Sequence, residues 1–440
     1  MSAELMDRAI EIARQVKAAG ADDARVRVVR QRYIFLQQSG GDLEQIEESS
    51  TMSVSMHLYV NGRASRHVTS DLRPAALGSF IRRSVEATRL LAADPHQGLP
   101  DPALYEGYHP RDLDLVDEDN RCGSIDERRR IVMDLERAVQ VDEGLLHLEA
   151  IWYETIRDMA LVNTNGFEGY LSATEFWAGA DMTVVDEGGH RTRGGQFFGS
   201  HHRDRLPSLS AIAADVVERT RREMGATTLS SRRLPMIVEN RAAGRLLSNL
   251  IMPMLGSSLH QDRSFIEDHE GEQLFSSALT LVDDPLIPGG LGSRLFDDEG
   301  IPALRRVMID KGVLRSYWID VEYANKTGRP ATSGTPSNLL LLGGTRPLEA
   351  LIQAVGTGIL VTGFLGGNSN PTTGDFSVGV NGLYFENGEF VRPVREMNVA
   401  GNQMDFWKRL VEVGNDPWES STFRLPSLVF EDILFSGSDS

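Results

Sequence analysis

Cysteine is nearly absent: Cys122 is the only one in 440 residues. A lone thiol cannot form an internal disulfide, and zinc sites built from several cysteines are excluded. Cys122 sits in the polar run Asp119-Asn120-Arg121-Cys122-Gly123-Ser124 and reads as a loop thiol without a role. Long apolar runs are missing as well. The most apolar stretch, Leu348 to Leu365, is interrupted by Glu349, Gln353 and several glycines, so it is not a membrane span. The opening residues lack the basic region and apolar core of a secretory leader, and a cytoplasmic protein is expected. Positive charge is scarce: 45 Lys and Arg face 63 Asp and Glu, a formal net charge of −18. Such a surface repels nucleic-acid phosphates and anionic lipid, so neither direct nucleic-acid binding nor membrane binding is expected. Basic proteins and cationic peptides are not repelled.

The usual signatures of catalysis are also lacking. A hydrolase needs an activated nucleophile or a metal-bound water. The chain has no G-x-S-x-G elbow, no G-x-x-x-x-G-K-[ST] loop and no G-x-G-x-x-G opening a helix after a strand. His269-Glu270 begins like a zincin H-E-x-x-H, but Gln273 and Leu274 stand where the second histidine is needed. With Glu267, Asp268 and Glu272 around it, this segment reads as an exposed acidic loop. His201 and His202 are adjacent, so their side chains diverge and do not suggest a metal site.

What is present is an ordinary globular balance of 41% apolar and 25% charged residues, which does not indicate a disordered chain and supports a large core. The length suggests two domains. An amphipathic helix is expected over residues 3–19, stopped by Gly20. Residues 25–37 and 51–61 read as strands, the second ending in the hairpin signal Asn61-Gly62, with His57 on its solvated face. Helices are expected over 73–92, 125–141 and 208–224, with several short strands between 145 and 188. The apolar-poor segment Ala226 to Arg233 marks the domain boundary. Beyond it come a short strand, Leu234 to Val238, and a helix of about fifteen residues from Arg241 with Pro253 near its end. Short β runs at Arg305 to Ile309 and Leu314 to Ile319 follow, and a helix near Gln403 to Glu412. The class is α+β: a helix-bearing N-terminal domain over 1–225 and a β-rich C-terminal domain over 226–440.

One stretch concentrates unusual chemistry. After the apolar run Ile359 to Val361 come Gly366, Gly367, Asn368, Asn370, Thr372, Thr373, Gly374, Asp375 and Ser377, read as a glycine-rich loop. Glycines let backbone approach a ligand or another chain, Gly367 and Gly374 above all, and the polar side chains offer donors and acceptors without much fixed charge. Such a loop suits gripping an extended peptide. It equally suits a long β-loop whose side chains cap its own turns, and residue chemistry alone does not choose.

The region from Ile359 to Asn415 resembles the C-terminal part of the TldD/PmbA family. The resembling pieces are Thr373-Gly374-Asp375-Phe376-Ser377, Phe385-Glu386-Asn387-Gly388-Glu389, Pro393-Val394-Arg395-Glu396, Val399-Ala400-Gly401-Asn402 and Val413-Gly414-Asn415-Asp416, in order. Gly20-Ala21-Asp22-Asp23 and Leu234-Pro235-Met236-Ile237-Val238 extend the likeness over nearly the whole chain. TldD-like members carry a His-Glu-x-x-x-His helix after the Leu-Pro strand. Here Ser248 and Asn249 stand at the first histidine and the glutamate, and Pro253 at the second histidine. The C-terminal cysteine of the TldD branch has no counterpart either. The resemblance therefore points to the PmbA/TldE branch. It implies a heterodimer in which a TldD-like subunit supplies zinc, this chain carries no cofactor, and unfolded or flexible peptides are cleaved. Alternatives are a peptide-binding homodimer and an acidic modulator of DNA gyrase.

Overall fold

The computed structural model describes residues 2–121, 123–140, 144–186 and 188–437; Cys122 lies outside them. Helix α1 (Ser2–Ala18) buries Leu5, Ala9, Ile12 and Val16, a repeat that keeps one face on the core, and Gly20 at φ +97° follows its end. Strands β1 (Asp23–Ser39), β2 (Asp42–Val60) and β3 (Arg63–Thr69) come next. The β2–β3 turn is the expected Asn61-Gly62, with φ +50° and +70°, the double-positive geometry of a two-residue hairpin. Then come α2 (Pro74–Thr88), α3 (Ile125–Ala138), β4 (Leu145–Asn163), β5 (Glu168–Val185), β6 (Arg191–Ser200) and α4 (Leu209–Arg222). Ser124 and Ser208 cap α3 and α4 by accepting from the Glu127 and Ala211 amides.

The six strands form one antiparallel sheet in the order β3-β2-β1-β4-β5-β6. All four helices lie on one face. Val26 and Val28 of β1 meet α1 and α2, while Ile34 and Leu36, on the same side of the pleat, meet α3 and α4. The other face, carrying Arg25 and Arg27, turns toward the second domain.

Three expectations about these strands need correction. β2 starts at Asp42 rather than near 51; its first twelve residues are mostly exposed and polar, so no apolar alternation marks them. The separate short strands read between 167 and 185 are one strand, β5, whose glycines interrupt the apolar pattern without interrupting the pairing with β4. His57 is not solvated. It is half-buried in the cleft between the domains.

The second domain contains β7 (Arg232–Val238), α5 (Asn240–Ile251), α6 (Gly256–His260), β8 (Leu281–Asp283), β9 (Arg306–Asp310), β10 (Val313–Leu314), α7 (Val321–Thr327), β11 (Leu339–Leu341), α8 (Leu348–Val355), β12 (Gly358–Ser369), β13 (Asp375–Glu386), β14 (Glu389–Asn402), α9 (Gln403–Lys408), β15 (Leu410–Val413), β16 (Phe423–Arg424) and β17 (Leu428–Ser436). The expected strand Leu314 to Ile319 shrinks to β10, and most of the rest enters the core as irregular chain with Tyr317, Trp318 and Ile319 buried. One sheet runs β14-β13-β12-β7-β17-β15, and β17 also pairs with β14, closing the first five strands on themselves. The other runs β10-β9-β8-β11-β16. The first domain's sheet is drawn from residues 23–200 and these two from residues 232–436. The architecture is α+β in two domains. No helix among the described residues is long and apolar enough to cross a membrane.

Candidate functional site

Strand β7 enters the core through Met236, Ile237 and Val238 and leads into α5. That helix buries Ala242, Ala243, Leu246, Leu247, Leu250 and Ile251. The 3.6-residue repeat then leaves Arg245, Ser248, Asn249 and Met252 on its outer side, with Met252 fully outside the core. Pro253, in the 3-10 turn Met252–Met254, is buried, and its carbonyl accepts from the Ser264 hydroxyl at 2.7 Å. The Ser248 hydroxyl donates back to the Arg245 carbonyl at 2.8 Å. This donor set does not fit a catalytic zinc: one hydroxyl turned to its own helix, one neutral amide, and an imino acid with no side-chain lone pair. It holds no carboxylate or imidazole to act as general base either.

The glycine-rich stretch is a β-hairpin, not an open loop. Gly366, Gly367, Asn368 and Ser369 finish β12, and Asp375 and Ser377 begin β13. The pairing skips between Leu365 and Asn368, so Gly366 and Gly367 form a bulge. Gly367 has φ +95°, and a side chain there would meet the Ser377 carbonyl at 2.5 Å. The close approach expected at Gly367 is therefore to this chain's own partner strand. At the tip the Asn370 carboxamide accepts from the Thr372 amide at 2.9 Å, and the Gly374 amide donates to the Asn370 carbonyl at 2.8 Å. The Thr373 hydroxyl and then the Asn402 amide hold the Asp375 carboxyl below the usual carboxylate range. Most of the polar atoms expected to reach outward thus cap their own turn. Asn368 is exposed, and Leu365 beside the bulge is 53% exposed.

The structure brings the two sequence-selected groups together. The Arg245 guanidinium donates to the Gly366 carbonyl at 3.1 Å, so the outer side of α5 and the bulged hairpin share one surface. Sequence reasoning missed the residues that fix it. Arg245 makes the bridge. Asn402 and Phe265 anchor the tip, Asn402 donating to the Thr373 carbonyl at 2.8 Å and the Phe265 amide to the Pro371 carbonyl at 2.9 Å. The run containing Asn402 was visible as a motif, but its grip on the tip is made 29 residues away in sequence and has no local signal.

Elsewhere, Asp117, His202 and Asp204 are the one trio among the described residues whose ligand atoms lie within 4.8 Å of one another. Asp117 is already occupied, accepting from the Asn120 amide and side chain and from the Arg203 amide. His202 is held by Asp114 at 2.8 Å. These contacts brace a loop.

Residues 231–437, which carry α5 and the hairpin, match the profile of the PmbA/TldA metallopeptidase C-terminal domain. Metalloprotease PmbA of Escherichia coli O157:H7 is 27% identical over 99% of this chain and 96% of its own length. Among solved structures, a proposed modulator of DNA gyrase from Bacteroides thetaiotaomicron is 34% identical, with a TM-score of 0.95 over 98% of each chain. TldE from Thermococcus kodakarensis shares the fold at a TM-score of 0.87, with 20% identity over 97% of this chain and 99% of its own. Whole-length identity, fold and the C-terminal match agree, and the chain belongs to the PmbA/TldD metallopeptidase family.

Proposed function

We propose that this chain is a non-catalytic PmbA/TldE-type subunit of a cytoplasmic peptidase complex, acting on unfolded or flexible peptides beside a zinc-bearing TldD-like subunit. The observation that carries the reading is the donor set on α5 and the turn that follows it. Ser248, Asn249 and Pro253 cannot bind zinc or activate water. The adjoining hairpin contributes a surface, with Asn368 and Leu365 outward, rather than chemistry.

The test is to purify the chain alone and together with a TldD-like subunit and to assay both on an unstructured peptide. The expected outcome is no turnover and no stoichiometric zinc for the single chain, with turnover and zinc appearing in the mixture. Turnover by the single chain, freed of contaminating proteases, overturns the assignment. A second reading follows from the Bacteroides relative's description and the net charge of −18: an acidic surface that binds a basic topoisomerase. Salt-sensitive binding to gyrase, without turnover in any mixture, favours it.

A further inference from the structure

Between the two domains lies a cavity of about 200 Å³, walled on one side by β1 and β2 and on the other by the 297–299 turn and the start of α7. Five carboxylates line it, Asp297, Asp298, Glu299, Asp320 and Glu322, against one guanidinium, Arg25. Three of them have cations: Glu299 pairs with Arg25 at 3.0 Å, Asp298 with Arg27 at 2.7 Å, and Glu322 with Lys326. Asp297 and Asp320 have no ion-pair partner among the described residues. The Asp297 Oδ1 accepts from the Glu299 amide at 2.8 Å and from the Ile301 amide at 3.0 Å. Its Oδ2 is buried with no hydrogen-bond partner, in a residue only 5% exposed. A buried carboxylate oxygen left unpaired is costly and calls for a donor.

We propose that this interdomain cavity is a binding site for a small organic ammonium group, held by Asp297 and Asp320, with the His57–Tyr59 ring pair against its carbon body. The rings are stacked at 4.8 Å and both line the cavity. An ammonium supplies the missing donors and the missing charge, and its methylenes suit the aromatic wall. Burial, followed by the nearby Arg25 charge, pushes His57 down to about 4, so it remains neutral and does not compete as a cation. A divalent metal fits less well. It requires several oxygens converging on one point, and among the described residues the one trio within 4.8 Å is the Asp117 group elsewhere. The proposal does not rest on the peptidase reading.

The ammonium could be a free amine or the amino terminus of a peptide. The experiment titrates the full chain calorimetrically, at matched ionic strength, with ethylammonium chloride, trialanine amide, N-acetyl-trialanine amide and magnesium chloride. Binding of ethylammonium is expected, weakened about tenfold or more in Asp297→Asn. Asparagine keeps the Oδ1 acceptor for both turn amides, and Asp320→Asn keeps the cap on the Tyr323 amide, so both variants should fold, checked by circular dichroism. Binding of trialanine amide but not its acetylated form identifies a peptide terminus as a fitting source. Ethylammonium binding with neither peptide bound identifies a free amine. No heat with either amine, unchanged affinity in both variants, or preference for magnesium overturns the proposal.

Discussion

Glu239 shows how a single residue ties the halves of this molecule. It precedes α5 but does not cap it. Its carboxylate instead takes a two-pronged grip from Arg219 of α4, at 2.8 and 2.9 Å, and a third bond from Arg222 at 3.0 Å. Burial alone would raise its pKa. The hydrogen bonds and charges of Arg219, then Arg222, overcome that and hold it below the ordinary glutamate range. Removing the carboxylate strands two guanidiniums in a buried place, so Glu239→Ala should cost about 3–5 kcal/mol. Because the folded pKa is depressed, the charged form's contribution is present above the unfolded value of about 4.5 and is lost as pH falls through the folded value. The stability gap between the wild type and Glu239→Gln, from urea midpoints, should therefore be full near pH 7 and shrink below about pH 4. A gap independent of pH would mean that the charge is not what holds the contact.

At the scale of elements, the β12–β13 hairpin separates two roles that sequence alone left joined. Gly367 serves the fold: φ +95° and the Ser377 carbonyl leave no room for a side chain. Gly367→Ala should destabilise the chain by more than about 1 kcal/mol. Asn368 is the converse, exposed at the bulge. Asn368→Ala should leave the melting transition within about 0.5 kcal/mol of wild type while lowering turnover of the complex. Loss of stability with undiminished turnover would assign Asn368 to the fold as well. Much of the element pattern was legible because its signals are local: Gly20 after α1 and Asn61-Gly62 at a turn. What was not legible depends on remote partners. The exposed start of β2 is a strand only because β1 pairs with it over its full length, and the hairpin tip is shaped by Phe265 and Asn402. Of the candidate site, Ser248 and Asn249 could be set on a helix from the sequence, but neither the end of that helix before Pro253 nor the bridge from Arg245 to Gly366 could be.

Over the whole molecule, the contact between domains combines apolar packing, with Phe296 and Leu295 set among Met159, Leu161, Phe167 and Leu171, with a set of ion pairs. Arg25–Glu299, Arg27–Asp298, Arg241–Asp215 and the Glu239 cluster all cross it, and Arg241 also stacks over Trp418 at 4.3 Å. Nothing in the sequence around His57 signals this, because the carboxylates facing it, Asp297 to Glu299, Asp320 and Glu322, lie more than two hundred positions away. The arrangement leaves an imbalance at Asp297, where burial pushes the carboxyl upward against the pull of two backbone amides. A raised folded pKa reverses the sign that holds for Glu239. Here the contribution is fully present below the unfolded value and is lost as pH rises through the folded value, so the ionised form weakens the native state at neutral pH. Asp297→Asn keeps the two amide bonds and removes the charge. It should therefore be more stable than wild type near pH 7, with the difference closing toward about pH 3 as Asp297 itself becomes neutral. Saturating ethylammonium should narrow the same gap at neutral pH by stabilising the wild type more than the variant. Thermal unfolding of the two proteins at both pH values, with and without the amine, checks each step. A variant less stable than wild type near pH 7 would show that the Asp297 charge is compensated without a ligand and that the cavity has no need of one.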